Sequence, residues 1–123
     1  MSKAVLTPAI PQLPSGDLEV TATFFRDKLG FEVVQLYAEH GHLILARSPV
    51  EIHFWKASSE QEATHYGQAS SCYVRVSNIQ ALFEEFKARG APFRYELTRQ
   101  AWGMNEMQVD DPYGNAIRFG EET

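Results

Sequence analysis

Apolar residues recur along this chain with two different periods, about 3.6 in two long stretches and about two in several shorter ones. The first long stretch is SGDLEVTATFFRDKLGF, Ser15 to Phe31, where Leu18, Ala22, Phe25 and Leu29 form one helical stripe. Ser15 or Asp17 can cap its start, and Gly30 offers a left-handed stop. The second is SNIQALFEEFKARGAP, Ser77 to Pro92, with its stripe at Ile79, Leu82, Phe83 and Phe86. Ser77 and Gln80 have capping-box spacing, and Gly90 with Pro92 ends the helix. Short strand-like runs surround both helices. Ala4–Leu13 precedes the first, although two prolines favour an edge or irregular path there. FEVVQLY, HLILA and VEIHFW follow it from Phe31, His42 and Val50. SCYVRV, from Ser71, precedes the second helix; FRYEL, NEMQV and AIRF follow from Phe93, Asn105 and Ala116.

The chain therefore reads as strand, helix and three strands, twice over. Gly30 and Gly90 stand at matching places, about half the chain apart. The expected class is α+β, with two βαβββ modules forming mixed sheets. Module one covers about 1–57, a polar linker with a possible helical turn about 58–69, and module two about 70–123. A module of that size buries little core alone, so the two are expected to share one domain, 1–123. Ser48 with Pro49, and DPYGN from Asp111, supply matching turns, so Asp111 is read as turn architecture.

The 123 residues are 44% hydrophobic and include eight Phe, five Tyr and two Trp, enough for a core with aromatics to spare for a cavity. Eleven basic and sixteen acidic residues give a net charge of −5 with no long basic cluster, which argues against nucleic acid as partner. An acidic domain suits a cationic small molecule. The single cysteine, Cys72, forms no internal disulfide and reads as a buried small hydrophobe. The first residues lack a secretory pattern, and no run reaches the roughly 18 apolar residues of a membrane span. The expectation is a soluble cytoplasmic protein without a membrane partner. No nucleophile elbow or phosphate-cradling glycine loop is present. Glu84 and Glu85 are expected on the solvated side of the second helix, and Glu121 to Thr123 as a solvated tail. Asp110 can add negative potential near a cleft.

One stretch stands out: RQAWGM, from Arg99, puts Trp102 in a polar loop beside Gly103 and close to the DPYGN turn. An indole in such a loop needs a partner, and Gly103 lets a ligand approach the backbone. With PQLPSGD from Pro11, FFRDKLGF from Phe24 and SCYVRV from Ser71, these pieces resemble the vicinal oxygen chelate superfamily (glyoxalase/bleomycin resistance/dioxygenase), and within it the bleomycin resistance proteins. The resemblance covers nearly the whole chain. It implies a segment-swapped homodimer with cup-shaped sheets. It also implies two interface clefts that sequester bleomycin-type glycopeptides, with no reaction and no cofactor. Trp102 would stack on flat heteroaromatic rings. The opposing aromatic falls near His42, in AEHGHL, with Tyr37 as its rival.

Enzymes of that superfamily hold a divalent ion with His and Glu from symmetric strand positions. By the internal repeat these fall at His53 and Arg118, near Ala9 or Ile10, and at Ser71. Only His53 ligates comfortably, since Arg118 has no lone pair, so no metal site is expected. His40 and His42, near Glu39 and the distant Glu51, read as ordinary loop and strand histidines. Arg118 itself is expected either to pair with an acid or to face an anionic guest. The ligand-binding candidates are Trp102, Gly103, His42, Tyr37, His53 and Arg118. Two alternatives stay open: a metal-dependent lyase, dioxygenase or thiol transferase, and a binder of some other planar metabolite.

Overall fold

The structure, a computed structural model, describes residues 2–123. Its element order is β1 (Gln12–Ser15), α1 (Leu18–Leu29), β2 (Glu32–Tyr37), a 3-10 turn (Ala38–His40), β3 (His42–Arg47), β4 (Val50–Lys56), α2 (Glu60–Gly67), β5 (Ser71–Arg75), α3 (Ile79–Ala88), β6 (Phe93–Arg99), β7 (Met104–Asp110) and β8 (Ala116–Glu122). Two four-stranded mixed sheets result, ordered β1-β4-β3-β2 and β5-β8-β7-β6. In each, the first strand runs parallel to the fourth, and the last three strands pair antiparallel. The expected α+β class and the βαβββ repeat are both present.

Alternation along the strands decides what each sheet face does. Ile52 and Phe54 of β4, with Leu43 and Leu45 of β3, are fully buried. Met107 and Val109 of β7, with Ile117 and Phe119 of β8, repeat this in the second sheet. These side chains join Phe25 and Leu29 of α1 and Phe83 and Phe86 of α3 in one continuous core. Edge-to-face ring pairs fix its centre, Phe25 on Phe54 at 5.2 Å and Phe86 on Phe119 at 5.1 Å between centroids. The intervening residues, Glu51, His53 and Trp55 or Glu106, Gln108 and Arg118, point to the face that lacks a helix.

Several local expectations change. The first strand forms only over Gln12–Ser15, and Val5 and Leu6 ahead of it are 83% and 97% exposed. Pro8 and Pro11 have no N–H to give a ladder, which accounts for the late start. The linker contains a true helix, α2, capped by Ser59, whose hydroxyl accepts from the Glu62 N–H at 3.0 Å. The Ser77–Gln80 capping box does not form. Asn78 is left-handed at φ 61°, and the cap comes from β8: the Glu121 carboxylate accepts from Asn78 N at 2.8 Å and Ile79 N at 3.0 Å. Glu121 is therefore no solvated tail residue, and Gln80 pairs with Glu84 instead. For α1 the cap is Asp17, while Ser15 is buried against the Thr21 hydroxyl.

Polar contacts tie the modules together at two places. Arg47 of β3 grips Glu85 of α3 with both guanidinium ends, at 2.8 and 2.9 Å, and also donates to the Leu29 carbonyl at the end of α1. Arg89 donates to the same carboxylate. Glu85 thus serves the junction rather than a free outer face. At the other place Tyr113, from the DPYGN turn, donates to Glu60 and accepts from Asp17 N, each at 2.8 Å. Asn115 reaches across to the Pro14 carbonyl at 2.8 Å. Asp111 organises this turn by accepting from Tyr113 N, Asn115 N and the Asn115 amide, as its turn role anticipates.

These two acids have opposite effects on stability with pH. The Arg47 bond, with Arg89 and despite partial burial, holds Glu85 down at about 2. Its contribution is present above the ordinary Glu value and disappears as pH falls toward 2. Burial pushes Asp111 up to about 6 against its hydrogen bonds, so its contribution is lost as pH rises through 6. Urea denaturation across pH should show that Glu85→Gln costs roughly 1 kcal/mol near neutrality and nothing near pH 2, the half-exposed pair being screened. Asp111→Asn should flatten the slope between about pH 4 and 6; an unchanged slope would exclude burial as the cause.

Candidate functional site

On the face of the second sheet without a helix, the centre is a carboxylate. Glu106, on β7, is only 4% exposed. Its Oε2 accepts from the Tyr73 hydroxyl of β5 at 2.7 Å and from the Trp102 indole Nε1 at 3.0 Å; its Oε1 accepts from the Tyr95 hydroxyl of β6 at 3.3 Å. Burial pushes the Glu106 pKa up, but these three donors and the Arg118 charge outweigh it and hold the group below the usual carboxylate range. Burial, then the bond to Glu106, lifts Tyr73 to about 12, so its hydroxyl remains a donor.

Trp102 sits in the turn between β6 and β7 and is 67% exposed. Gly103, at φ 82°, makes the left-handed turn that returns the chain to β7. The loop closes through Gln100 N to the Met104 carbonyl at 2.7 Å. The last residue holds it from the other side: Thr123 N and Oγ1 both donate to the Gly103 carbonyl, at 3.0 and 3.1 Å. The indole thus presents its rings outward from a loop tied at both ends. Arg118, on β8 of the same face, donates from Nε to Gln108 Oε1 at 3.0 Å, and Gln108 donates on to Asp110 at 2.8 Å. Among the described residues no carboxylate forms an ion pair with Arg118, so the expected acid partner is replaced by an amide.

The remaining candidates gather on the first sheet. His42 stands edge-on to His53 with centroids 5.1 Å apart, and Tyr37 lies 6.4 Å from His42. His53 Nε2 meets Glu51 at 2.5 Å. Trp55 continues this face and is flanked by Tyr66 of α2 at 5.8 Å. The six candidates therefore fall into two groups, Tyr37, His42 and His53 on one sheet, Trp102, Gly103 and Arg118 on the other. No hydrogen bond, ion pair or ring contact links the groups among the described residues.

Strand register shows which residues neighbour His53 and Arg118. His53 lies opposite Gln12, and Arg118 opposite Tyr73, rather than beside the expected Ala9 or Ile10 and Ser71. These four neighbours are Gln12, His53, Tyr73 and Arg118. One histidine with an amide, a phenol and a guanidinium does not fit a divalent ion. No cluster of three or more His, Cys, Asp or Glu able to hold a metal exists among the described residues. Cys72 points toward the core, and burial with the Asp111 charge lifts its thiol to about 11, leaving it protonated.

Comparison with known proteins gives the family and the fold. A family model described as Glyoxalase/Bleomycin resistance protein/Dioxygenase superfamily matches residues 7–119. The chain belongs to that superfamily. A bleomycin resistance protein of Geobacillus stearothermophilus is 30% identical over 93% of this chain and 96% of its own length. The crystal structure of a bleomycin-binding protein complexed with bleomycin superposes with a TM-score of 0.79 at 24% identity, covering 96% of this chain and all of that one. A bleomycin resistance determinant encoded on the transposon Tn5 gives the same TM-score at 25% identity, over 95% of this chain and 98% of that one. No helix among the described residues is long and apolar enough to cross a membrane.

Nothing in the sequence joins Glu106, Tyr73, Tyr95 and Gln108 as one group. The one signal was alternation in MNEMQVD, which sets Glu106 and Gln108 on one face of β7 and Met107 and Val109 on the other. Removing Thr123 should speed hydrogen exchange several-fold over 100–103 with little change in melting temperature, measured by mass spectrometry. Unchanged exchange would mean that the terminal bonds do not hold the Trp102 loop.

Proposed function

We propose that this protein binds a bleomycin-type glycopeptide antibiotic and sequesters it, without making or breaking a bond. The observation that carries this reading is Trp102, an exposed indole anchored by its N–H, presented on a sheet face that no helix covers. Membership of the superfamily and the relatives named bleomycin resistance protein supply the drug class. A flat heteroaromatic guest gains about 0.5–1.5 kcal/mol from an aromatic face beyond the area it buries. The chemistry of the ligand positions argues against the metal-dependent enzymes of the superfamily, so the reading is a binder and not a catalyst.

A homodimer belongs to the proposal. The two half-sites lie on separate sheets, so a cleft with aromatic walls on both sides needs the first sheet of one copy to face the second sheet of another. The exposed apolar arm before β1, with Val5 and Leu6, suits a segment that crosses to a partner. In that cleft Trp102 and Gly103 form one wall and His42, Tyr37 and His53 the other, with Arg118 beside Trp102. A cytoplasmic location is part of the same reading, since the drug must be held before it reaches DNA. A binder of another planar metabolite is the second reading. It is favoured by Arg118, whose guanidinium meets an amide rather than an acid and so remains a cation available to an anionic or carbonyl-bearing guest.

Titration of the protein with bleomycin should quench tryptophan fluorescence and release heat at micromolar drug. Trp102→Ala should weaken binding about tenfold, the equivalent of one lost stacking face, and more than Trp55→Ala does. Absence of both signals with bleomycin would move the protein to the second reading. Equal losses from the two substitutions would contradict the stacking role. Dialysis against zinc, manganese or nickel should leave well under one ion per chain by elemental analysis; a stoichiometric ion lost in His53→Ala would revive the enzyme reading.

A further inference from the structure

We propose that Glu106 is the positioning residue of the Trp102 site: its carboxylate fixes the indole plane and makes that ring prefer cationic, electron-poor planar guests over neutral ones. This rests on the binding role given to Trp102 above.

An exposed indole on a turn has two side-chain torsions and, with no anchor, would sample several orientations. Here the N–H is anchored at 3.0 Å to a carboxylate that is itself buried. The anchor is rigid because Tyr73 and Tyr95 hold the same carboxylate from the two flanking regions of the sheet, β5 and β6. Gly120, directly across from Glu106 in the β7–β8 register, leaves the room that the Tyr73 ring occupies; a Cβ there would collide with the Tyr73 hydroxyl. Three donors on two oxygens explain the choice of residue. A glutamine offers a single acceptor oxygen and would leave a donor unmatched, and an apolar residue would leave all three unmatched.

The carboxylate also bears on what the ring attracts. A hydrogen bond from the indole N–H to an anion is charge-assisted and leaves more electron density on the ring. A richer π face draws cations and electron-poor rings more strongly. Arg118 lies on the same face, but Gln108 holds its Nε, and no ion pair joins it to Glu106 among the described residues. Arg118 offsets part of the negative charge beneath Trp102, but only the Glu106 carboxylate bonds the indole N–H. Fixing the ring before the guest arrives also removes an ordering cost from binding.

The test uses the full chain with Trp55→Phe, which leaves Trp102 as the sole tryptophan. Time-resolved anisotropy without any guest should show a restricted indole. Glu106→Gln should keep much of that restriction, and Glu106→Leu should lose it. Quenching titrations with 1-methylquinolinium and with neutral quinoline should then show a cation preference that falls roughly tenfold in Glu106→Gln. In a double-mutant cycle with Trp102→Phe, read by titration calorimetry with the same two guests because that variant has no tryptophan to quench, the effect of Glu106→Gln should largely vanish, because it acts through the indole. Additive losses in that cycle, or a cation preference that survives Glu106→Gln, would overturn the proposal. If Glu106→Leu fails to fold, the Glu106→Gln titrations and the cycle decide alone. Failure of the native protein to bind bleomycin, with anisotropy and cation preference still set by Glu106, supports the positioning role and counts only against the drug.

Discussion

A four-stranded sheet has two faces, and each module of this protein brings one long helix, which covers only one of them. α1 lies on the first sheet and α3 on the second, and the helix-facing residues of both sheets join one core. The opposite faces receive neither α1 nor α3, and α2 only flanks the first of them, through Tyr66 beside Trp55. Because side chains alternate at every residue, each strand that supplies Ile52 and Phe54, or Ile117 and Phe119, to the core must supply His53 or Arg118 to the other side. The open polar surface is thus a consequence of how the core is built. The same backbone periodicity sets both, and a register slip of one residue would exchange them.

The junction between modules keeps the open faces apart. Arg47, Glu85 and Arg89 link the first sheet to α3, while Tyr113, Glu60 and Asp17 link the DPYGN turn to the start of α1. Both contacts lie outside the groups around His53 and Glu106. Within one chain the aromatic groups of the two sheets remain separate, and this separation is what gives the proposed dimer its physical reason.

The second open face is organised by hydrogen bonds to one acid. Its organising charge is a single buried carboxylate held by two phenols and an indole. Burial of such a group is tolerated because donors satisfy both oxygens. Each donor comes from a different segment, Tyr73 from β5, Tyr95 from β6 and Trp102 from the turn after it, so one carboxylate ties three segments of this face together.

Local periodicity in the sequence determined the two helices, their apolar stripes, the left-handed stop at Gly30 and the repeat of βαβββ units, because each depends on contacts within a few residues. The W-G pair in its polar loop drew attention to Trp102, but its reading as a cleft wall came from the family resemblance; the tertiary structure adds that the indole is exposed and held by its N–H. Tertiary structure decided what depends on distant segments meeting. The cap of α3 comes from Glu121 some forty residues later, and Ser77 with Gln80 could not reveal that. Pairing of Gln12 with His53 and of Tyr73 with Arg118 needed the strand register, which the internal repeat located only to within a few residues. Glu106 looked like one acid among sixteen until the fold brought Tyr73, Tyr95 and Trp102 onto it. A hydrogen-bond network spanning three strands leaves no mark on the local pattern of any one of them.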